Sequence, residues 1–401
     1  MAGPLDGVRV IDLTSMISGP LATLTLADQG ADVIKVEPPS GGDFSRKVAT
    51  RRNGFSASFV NNNRNKRSLV LDLKNPHGLA AFRKLTDNAD VVIQNFRPGV
   101  AERIGVGEDA LRKTNPSLIY VSISGFGFAG PYAQKPVFDP LIQALTGLTT
   151  VQAGADHLRP RLIRTILPDK LTGIQAAQAI TAALFARERS GQGQHIRLSM
   201  LDTIVAFLWS SDMGGHTFVG DETDIESAQS FIDLIYETAD GYISVAAMHD
   251  KHWQSLSKAL ERPDFMTDPR FTTPELREIN KEARLELTQV CIKPHTTAAL
   301  LDVLEAEGVP CAPVLTRSEM RAHPQIIANE ILFQSDHPHA GRLRQARQPA
   351  VFSKTINEMR HPAPMLGGQT REILHEAGFT DGEIAELLAS HAAVQADTES
   401  R

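Results

Sequence analysis

Between residues 8 and 123 the chain alternates short, almost continuous apolar runs with stretches of helical spacing, and this rhythm narrows the possible folds most. The runs are 8–13 (VRVIDL), 32–37 (DVIKVE), 68–73 (SLVLDL), 90–93 (DVVI) and 117–123 (SLIYVSI). Helical patterns over 20–28 and 78–85 separate them; Pro20 suits a first helical turn and Gly30 a stop. Strands of this kind, joined by helix-length crossovers, predict a mostly parallel sheet covered on both faces. Such sheets bind ligands beyond the carboxyl ends of their strands.

The segments that follow the strands are glycine-rich or polar: 14–20, 38–43 (PPSGGD), 74–75, 94–99 (QNFRPG) and 124–130 (SGFGFAG). None is a GxGxxG fingerprint and none is a GxxxxGK[ST] phosphate loop, which disfavours the usual NAD and ATP enzymes. Farther on, helices are expected over 139–148 and 170–189, the second stopped by SGQGQ at 190–194, followed by a strand at 195–200 and a helix at 201–209. Two strands within 231–247 turn at Ala239-Asp240-Gly241. Helices follow over 251–260, 281–292 and 297–307, then a strand-and-turn stretch over 334–352. The expected division is a large domain in 1–210, a linker at 211–230, a small α/β domain at 231–320 and a C-terminal part at 321–401.

Composition removes other classes. The 401 residues are 42% hydrophobic and 22% charged, which is ordinary for a globular protein, and the net charge of −6 disfavours a nucleic-acid binder. Two cysteines, Cys291 and Cys311, form no framework. The opening MAGPLDGVRV lacks the pattern of a signal peptide, and the apolar stretch 174–186 is polar-interrupted and too short for a bilayer. A cytoplasmic protein without membrane association is expected.

Several groups are candidates for chemistry. Arg46, Lys47, Arg51, Arg52, Arg64, Lys66 and Arg67 carry no acid among them, and read either as a solvated loop or as a site for a phosphate-bearing ligand. Asn95-Phe96-Arg97-Pro98-Gly99 places a ring beside a guanidinium at a strand end, which is either a plain turn or a nucleotide contact. Asp169, after Pro168, opens the long helix as a cap or as a carboxylate nucleophile favoured by the helix dipole. His337-Pro338-His339 and His249/His252 lack zinc spacing, so no metal is expected. Ser122-Ile123-Ser124-Gly125 is not a nucleophile elbow, and Cys311 reads as a small hydrophobe.

Taken together, PLDGVRVIDL (4–13), GADVIKVEP (30–38), NKRSLVLDLK (65–74), residues 95–99, SGFGFAGPY (124–132), Pro168-Asp169, GQGQHIRLSM (191–200) and GVPCAPVL (308–315) resemble the class III CoA-transferase family of the CaiB/BaiF type. The resemblance spans nearly the whole chain. It implies a Rossmann-like large domain that receives the C-terminal part back, a smaller domain near 231–320, and two subunits interlocked as a homodimer. It also implies CoA transfer between an acyl-CoA and a small carboxylic acid, with Asp169 as the nucleophile, an aspartyl anhydride and an aspartyl-CoA thioester as intermediates, and succinyl-CoA as a family-typical donor. No permanently bound cofactor is implied. CoA contacts would fall on Leu71, Lys74, Asn95, Phe96, Arg97, Arg103 and Met200, with Lys135 and Asp139 facing the active site.

The chain departs from formyl-CoA transferase-like members at Ile17, where they carry glutamine, and at Pro38, where they carry arginine. Residues 246–250 (AAMHD) stand in place of the family's glycine-rich loop. Two alternatives remain at this stage. An α-methylacyl-CoA racemase needs two proton-exchanging groups, and Phe138 stands where such relatives carry histidine. A non-catalytic CoA-binding protein would not need Asp169.

Overall fold

The computed structural model describes residues 3–222, 233–247, 249–355 and 358–396. The chain divides into two compact units, Met1–Ser227 with Ile331–Arg401, and Ala228–Glu330.

The first unit is built on a sheet of seven strands: β1 (Arg9–Asp12), β2 (Asp32–Glu37), β3 (Lys66–Leu71), β4 (Val91–Gln94), β5 (Ile119–Ser124), β6 (His195–Ser199) and β7 (Ala393–Val394). Their order is β7-β3-β2-β1-β4-β5-β6, parallel throughout except for β7, which runs antiparallel to β3. The six parallel strands therefore follow the doubly wound order 3-2-1-4-5-6, with the order reversing between β1 and β4. Register is set by side-chain alternation. Ile11, Ile34, Leu69 and Val92 face one core, while Val10, Val33, Val91 and Ile119 face the other.

Six helices complete the frame around the site: α1 (Ser18–Asp28), α2 (Pro76–Thr86), α3 (Val100–Arg103), α4 (Asp139–Leu145), α5 (Leu167–Ser190) and α6 (Met200–Trp209). Ala22, Leu26 and Ala27 of α1 and Ala176, Ala177 and Ile180 of α5 fill one core. Ala81 and Phe82 of α2 join Ile373 and Ile384 from helices Thr370–Glu376 and Asp381–Ala389 in the other. Arg67 ties the C-terminal segment down, with ion pairs to Asp32, Glu372 and Glu376.

Most strands and helices lie within a few residues of the expected positions, and three details differ. The single helix expected over 139–148 is two, because Gly147 adopts φ 84° and Leu148–Ala153 starts afresh. Strand β3 ends at Leu71, so Asp72 to Lys74 form a turn in which Asp72 accepts the Lys74 N–H. Helix Pro324–Ala328, placed by the sequence division in the C-terminal part, clusters with the second unit.

The second unit holds a three-stranded antiparallel sheet, Cys311–Pro313, Tyr242–Val245 and Ile235–Glu237 in that order, over a core of Trp253, Phe265 and Phe271. The second part of the expected linker (223–230), the first two residues of the expected small domain (231–232), and Met248 of the AAMHD stretch lie outside the described residues. Among the described residues no helix is long and apolar enough to cross a membrane.

Candidate active site

The strand order reverses between β1 and β4, and the loops leaving these two strands meet there. Asn95, just past β4, accepts the Ser15 N–H through Oδ1 at 3.0 Å and donates to the Ser15 carbonyl through Nδ2 at 2.8 Å. This bridge crosses the crevice where a doubly wound sheet binds its ligand. Two cavities open beside it. One, of about 380 Å³, is walled by Leu13, Val36, Pro38, Leu71, Leu73 and Ile104 and is mostly apolar. The other, of about 240 Å³, is walled by Met16, Phe126, Val137, Asp139, Asp169 and Met200 among others. Ser15 and Phe96 belong to both walls.

Asp169 stands in the first turn of the 24-residue α5. It is not the cap: Ile166 holds that position and gives no side-chain bond, so the local reading of Asp169 as a cap is corrected here. Burial and the neighbouring Asp139 carboxylate push the Asp169 carboxyl up to about 6, against hydrogen bonds from the Ser18 hydroxyl and backbone amide. Ser18 is the first residue of α1, so the N-termini of two helices reach this carboxylate. Gly173 permits the approach, because a Cβ there would lie 2.6 Å from the Ser18 carbonyl oxygen.

Asp139 opens α4 and is 3% exposed. Its Oδ2 accepts the Asp169 N–H at 3.2 Å, and its Oδ1 accepts from Gln143 Nε2 at 2.7 Å. Gln143 Nε2 also faces the carbonyls of Ile163 and Thr165, and its Oε1 accepts the Ile163 N–H. One amide side chain thereby joins Asp139 to the segment that leads into Asp169. Burial raises the Asp139 carboxyl above the ordinary range, outweighing Gln143, the Asp169 amide and Lys170.

The residues singled out from sequence gather here with one exception. Leu71 and Lys74 border the larger cavity; Asn95, Arg97, Lys135, Met200, Asp139 and Asp169 border the smaller; Phe96 lies on both. Lys135 is exposed, its Nζ 3.2 Å from the centre of the Tyr132 ring. Arg103 borders neither cavity; it is exposed on α3, and a Cβ at Gly99 would lie 3.3 Å from its guanidinium.

The basic loop needs correcting. Arg46 pairs with Glu37 at 2.7 Å, Arg64 with Asp28 at 2.6 Å, Lys66 with Asp12 at 3.1 Å, and Arg67 with three acids. Those acids all lie outside the run in sequence, so a run that looks uniformly basic is largely neutralised in space. Lys47, Arg51 and Arg52 remain exposed. Sequence reasoning also missed Ser18, Asp43 and Gln143; the only hint was a charged pair, Lys35 and Glu37, inside an otherwise apolar strand.

A doubly wound α/β unit with a raised carboxylate between two helix N-termini, in one of two cavities that share a wall, defines a protein equipped for nucleophilic chemistry on an extended ligand. The comparisons with known proteins sharpen this. The model of CoA-transferase family III matches residues 5–370. Succinyl-CoA:glutarate CoA-transferase of Mus musculus is 30% identical over 403 residues, covering 98% of this chain and 91% of that protein. Succinate–glutarate CoA-transferase of Agrobacterium fabrum is 34% identical over 385 residues, covering 93% and 95%. A crystal structure of a CAIB/BAIF family protein from Brucella suis superimposes with a TM-score of 0.82 at 31% identity, covering 94% of this chain and all of that one. The chain belongs to CoA-transferase family III, and it is an enzyme with CoA-transferase activity.

Proposed function

We propose that the protein moves CoA from a short acyl-CoA, with succinyl-CoA the favoured donor, to a small dicarboxylic acid, using Asp169 as the nucleophile. The observation that carries this reading is the Asp169 carboxylate in the wall of a cavity that shares Ser15 and Phe96 with a second, mostly apolar one. The larger cavity suits the adenine end of CoA, Lys74 and Arg97 at the margins suit its phosphates, and Phe96 lies along the pantetheine path. The names of the relatives support a succinyl donor and a dicarboxylate acceptor.

The reaction needs no external proton source. An Asp169 oxygen attacks the thioester carbonyl and CoA leaves as the thiolate, giving an acyl-aspartyl anhydride. The thiolate attacks the aspartyl carbonyl, expelling the donor carboxylate and leaving an aspartyl-CoA thioester. The acceptor carboxylate attacks that thioester and releases the thiolate again. The thiolate then takes the acceptor acyl group, and the Asp169 carboxylate is restored. The Ser18 amide and hydroxyl and the N-terminus of α5 favour the oxyanions formed along this path. The activation of the thioester is kept in covalent bonds throughout, so no nucleotide triphosphate or tightly bound cofactor is required.

A homodimer belongs to the same proposal. Ile174 and Phe185 on α5, Phe207 and Trp209 on α6, and Phe138 ahead of α4 are 45–69% exposed, which suits cover by a second copy. A racemase is disfavoured by Phe138, which stands where such relatives carry the histidine of the proton-exchanging pair and cannot itself exchange a proton.

The test is intact-protein mass after mixing with a panel of short acyl-CoAs, beside Asp169→Ala. An acyl or CoA adduct on the wild type alone, with one donor, is the expected result. Measurable CoA binding with no adduct from any donor would reject the mechanism and favour isomerisation or a binding role.

A further inference from the structure

Residues 14–16 form a strap that walls both cavities: Thr14 and Ser15 border the larger, Ser15 and Met16 the smaller. Beneath it lies a set of buried charges that the transfer steps do not use. Lys35, in the middle of β2, and Asp12, at the end of β1, have no solvent exposure, and Asp43 is 3% exposed. Lys35 Nζ donates to the Thr14 carbonyl at 2.7 Å and lies 3.0 Å from Asp43 Oδ2. Asp43 Oδ1 accepts the Met16 N–H at 3.0 Å. A closed ring results, from the Thr14 carbonyl through Lys35 and Asp43 back to the Met16 amide. On the other flank Asn95 grips both main-chain groups of Ser15. Asp12 Oδ1 accepts the Thr14 N–H at 2.8 Å, and Lys66 Nζ lies 3.1 Å from Asp12 Oδ2.

Two features indicate that this ring is more than a packed interior. Met16 adopts φ 70°, a left-handed conformation that a side-chain-bearing residue keeps only when its surroundings impose it. In addition, apolar residues of similar volume usually serve stability as well as a buried ion pair does, whereas a pair with fixed hydrogen bonds selects one geometry. The strap runs on through Ile17 into Ser18, which lines the smaller cavity together with Asp169 and favours its ionised carboxylate. Release of the Met16 amide would let the dipeptide relax and carry Ser18 away from the nucleophile.

We propose that the buried Lys35–Asp43 pair is a positioning device for CoA transfer, holding the 14–16 strap so that Ser18 stays beside Asp169 and the wall shared by the two cavities keeps its shape for one thioester. This rests on the reading of the cleft as the acyl-CoA site. Neither residue touches the reacting atoms. Lys35 acts through the strap, and Asp43 acts through the strap and as part of the wall of the larger cavity, so losing the pair is expected to lower kcat and CoA affinity beyond any loss of fold.

The experiment separates position from stability with Lys35→Met/Asp43→Leu, which removes both charges and leaves no buried ion orphaned, and with the milder Asp43→Asn. Arg64→Met serves as the control: it breaks the buried Arg64–Asp28 pair, which touches neither the strap nor either cavity. Melting temperature, binding of free coenzyme A by calorimetry, and kcat and KM with the donor that forms the adduct are measured for each. The expected result is a folded double variant with kcat/KM lowered about tenfold or more and weakened CoA binding, while folded Arg64→Met stays within about twofold of wild type. A folded double variant, or a folded Asp43→Asn, with unchanged kcat/KM and CoA affinity would overturn the proposal. Failure of the wild type itself to bind CoA or form an adduct would instead overturn the reading of the cleft.

Discussion

Asp139 Oδ2 accepts the main-chain N–H of Asp169 at 3.2 Å, so the carboxylate that raises the nucleophile's pKa also fixes its backbone. The two roles separate on titration. The reactive form of Asp169 is the anion, and its carboxyl is pushed up to about 6. Transfer measured as kcat/KM is therefore expected to rise with pH through about 6 and then level off. Asp139→Asn keeps an acceptor for the Asp169 amide but removes the neighbouring charge, so the rising limb should move to lower pH. A limb that stays in place would show that the charge on Asp139 does not act on the nucleophile.

The same shift has a consequence for stability. The folded state favours protonated Asp169, so the stabilising contribution is complete below the unfolded value of 3.8 and is lost as pH rises through about 6. At neutral pH the ionised side chain is a burden on the fold. Asp169→Asn should raise unfolding free energy by about 1–2 kcal/mol at pH 7.5 while abolishing transfer. Denaturant titrations at pH 7.5 and pH 4.5 test this, with a smaller gain expected at the lower pH.

Phe96 lies between the cavities and has part of its ring against the core beside β4. Phe96→Ala should weaken binding of CoA by about tenfold with a modest loss of stability, since it removes one apolar contact and opens both walls. Calorimetry with free coenzyme A reads the first effect and thermal melting the second. Unchanged affinity would place the pantetheine path elsewhere.

Gly173→Ala should act at the seam between α1 and α5. Its Cβ would lie 2.6 Å from the Ser18 carbonyl oxygen and 3.1 Å from Leu21 Cβ, so the helices must separate. A loss of about 1–3 kcal/mol is expected, with a fall in kcat because Ser18 moves from Asp169. Gly382→Ala, in the helix Asp381–Ala389 where a Cβ meets nothing within 4 Å, should instead stabilise by up to about 1 kcal/mol. Opposite signs for the same substitution, read by denaturant unfolding, would locate the effect at the helix seam.

The sequence by itself determined the parallel sheet and its helices, because period and apolar continuity are local properties that burial on two faces demands. The run DVIKVE coincides with β2 and the helix at 281–292 with Lys281–Ile292, each bounded by its own stop signals. The motif residues Asp169, Asn95, Phe96 and Met200 were legible as candidates, and the fold brings them to one cleft. Tertiary structure alone decided the charges. Arg46, Arg64, Lys66 and Arg67 read as one basic field, but each meets an acid brought from another strand or helix, as Asp28 is to Arg64 across 36 positions. It also decided that Lys35 and Asp43 lie under the strap, that Ser18 meets Asp169, and that Gln143 braces Asp139. Such pairings depend on strand order, and the order of the strands in space is written in no single stretch of the chain.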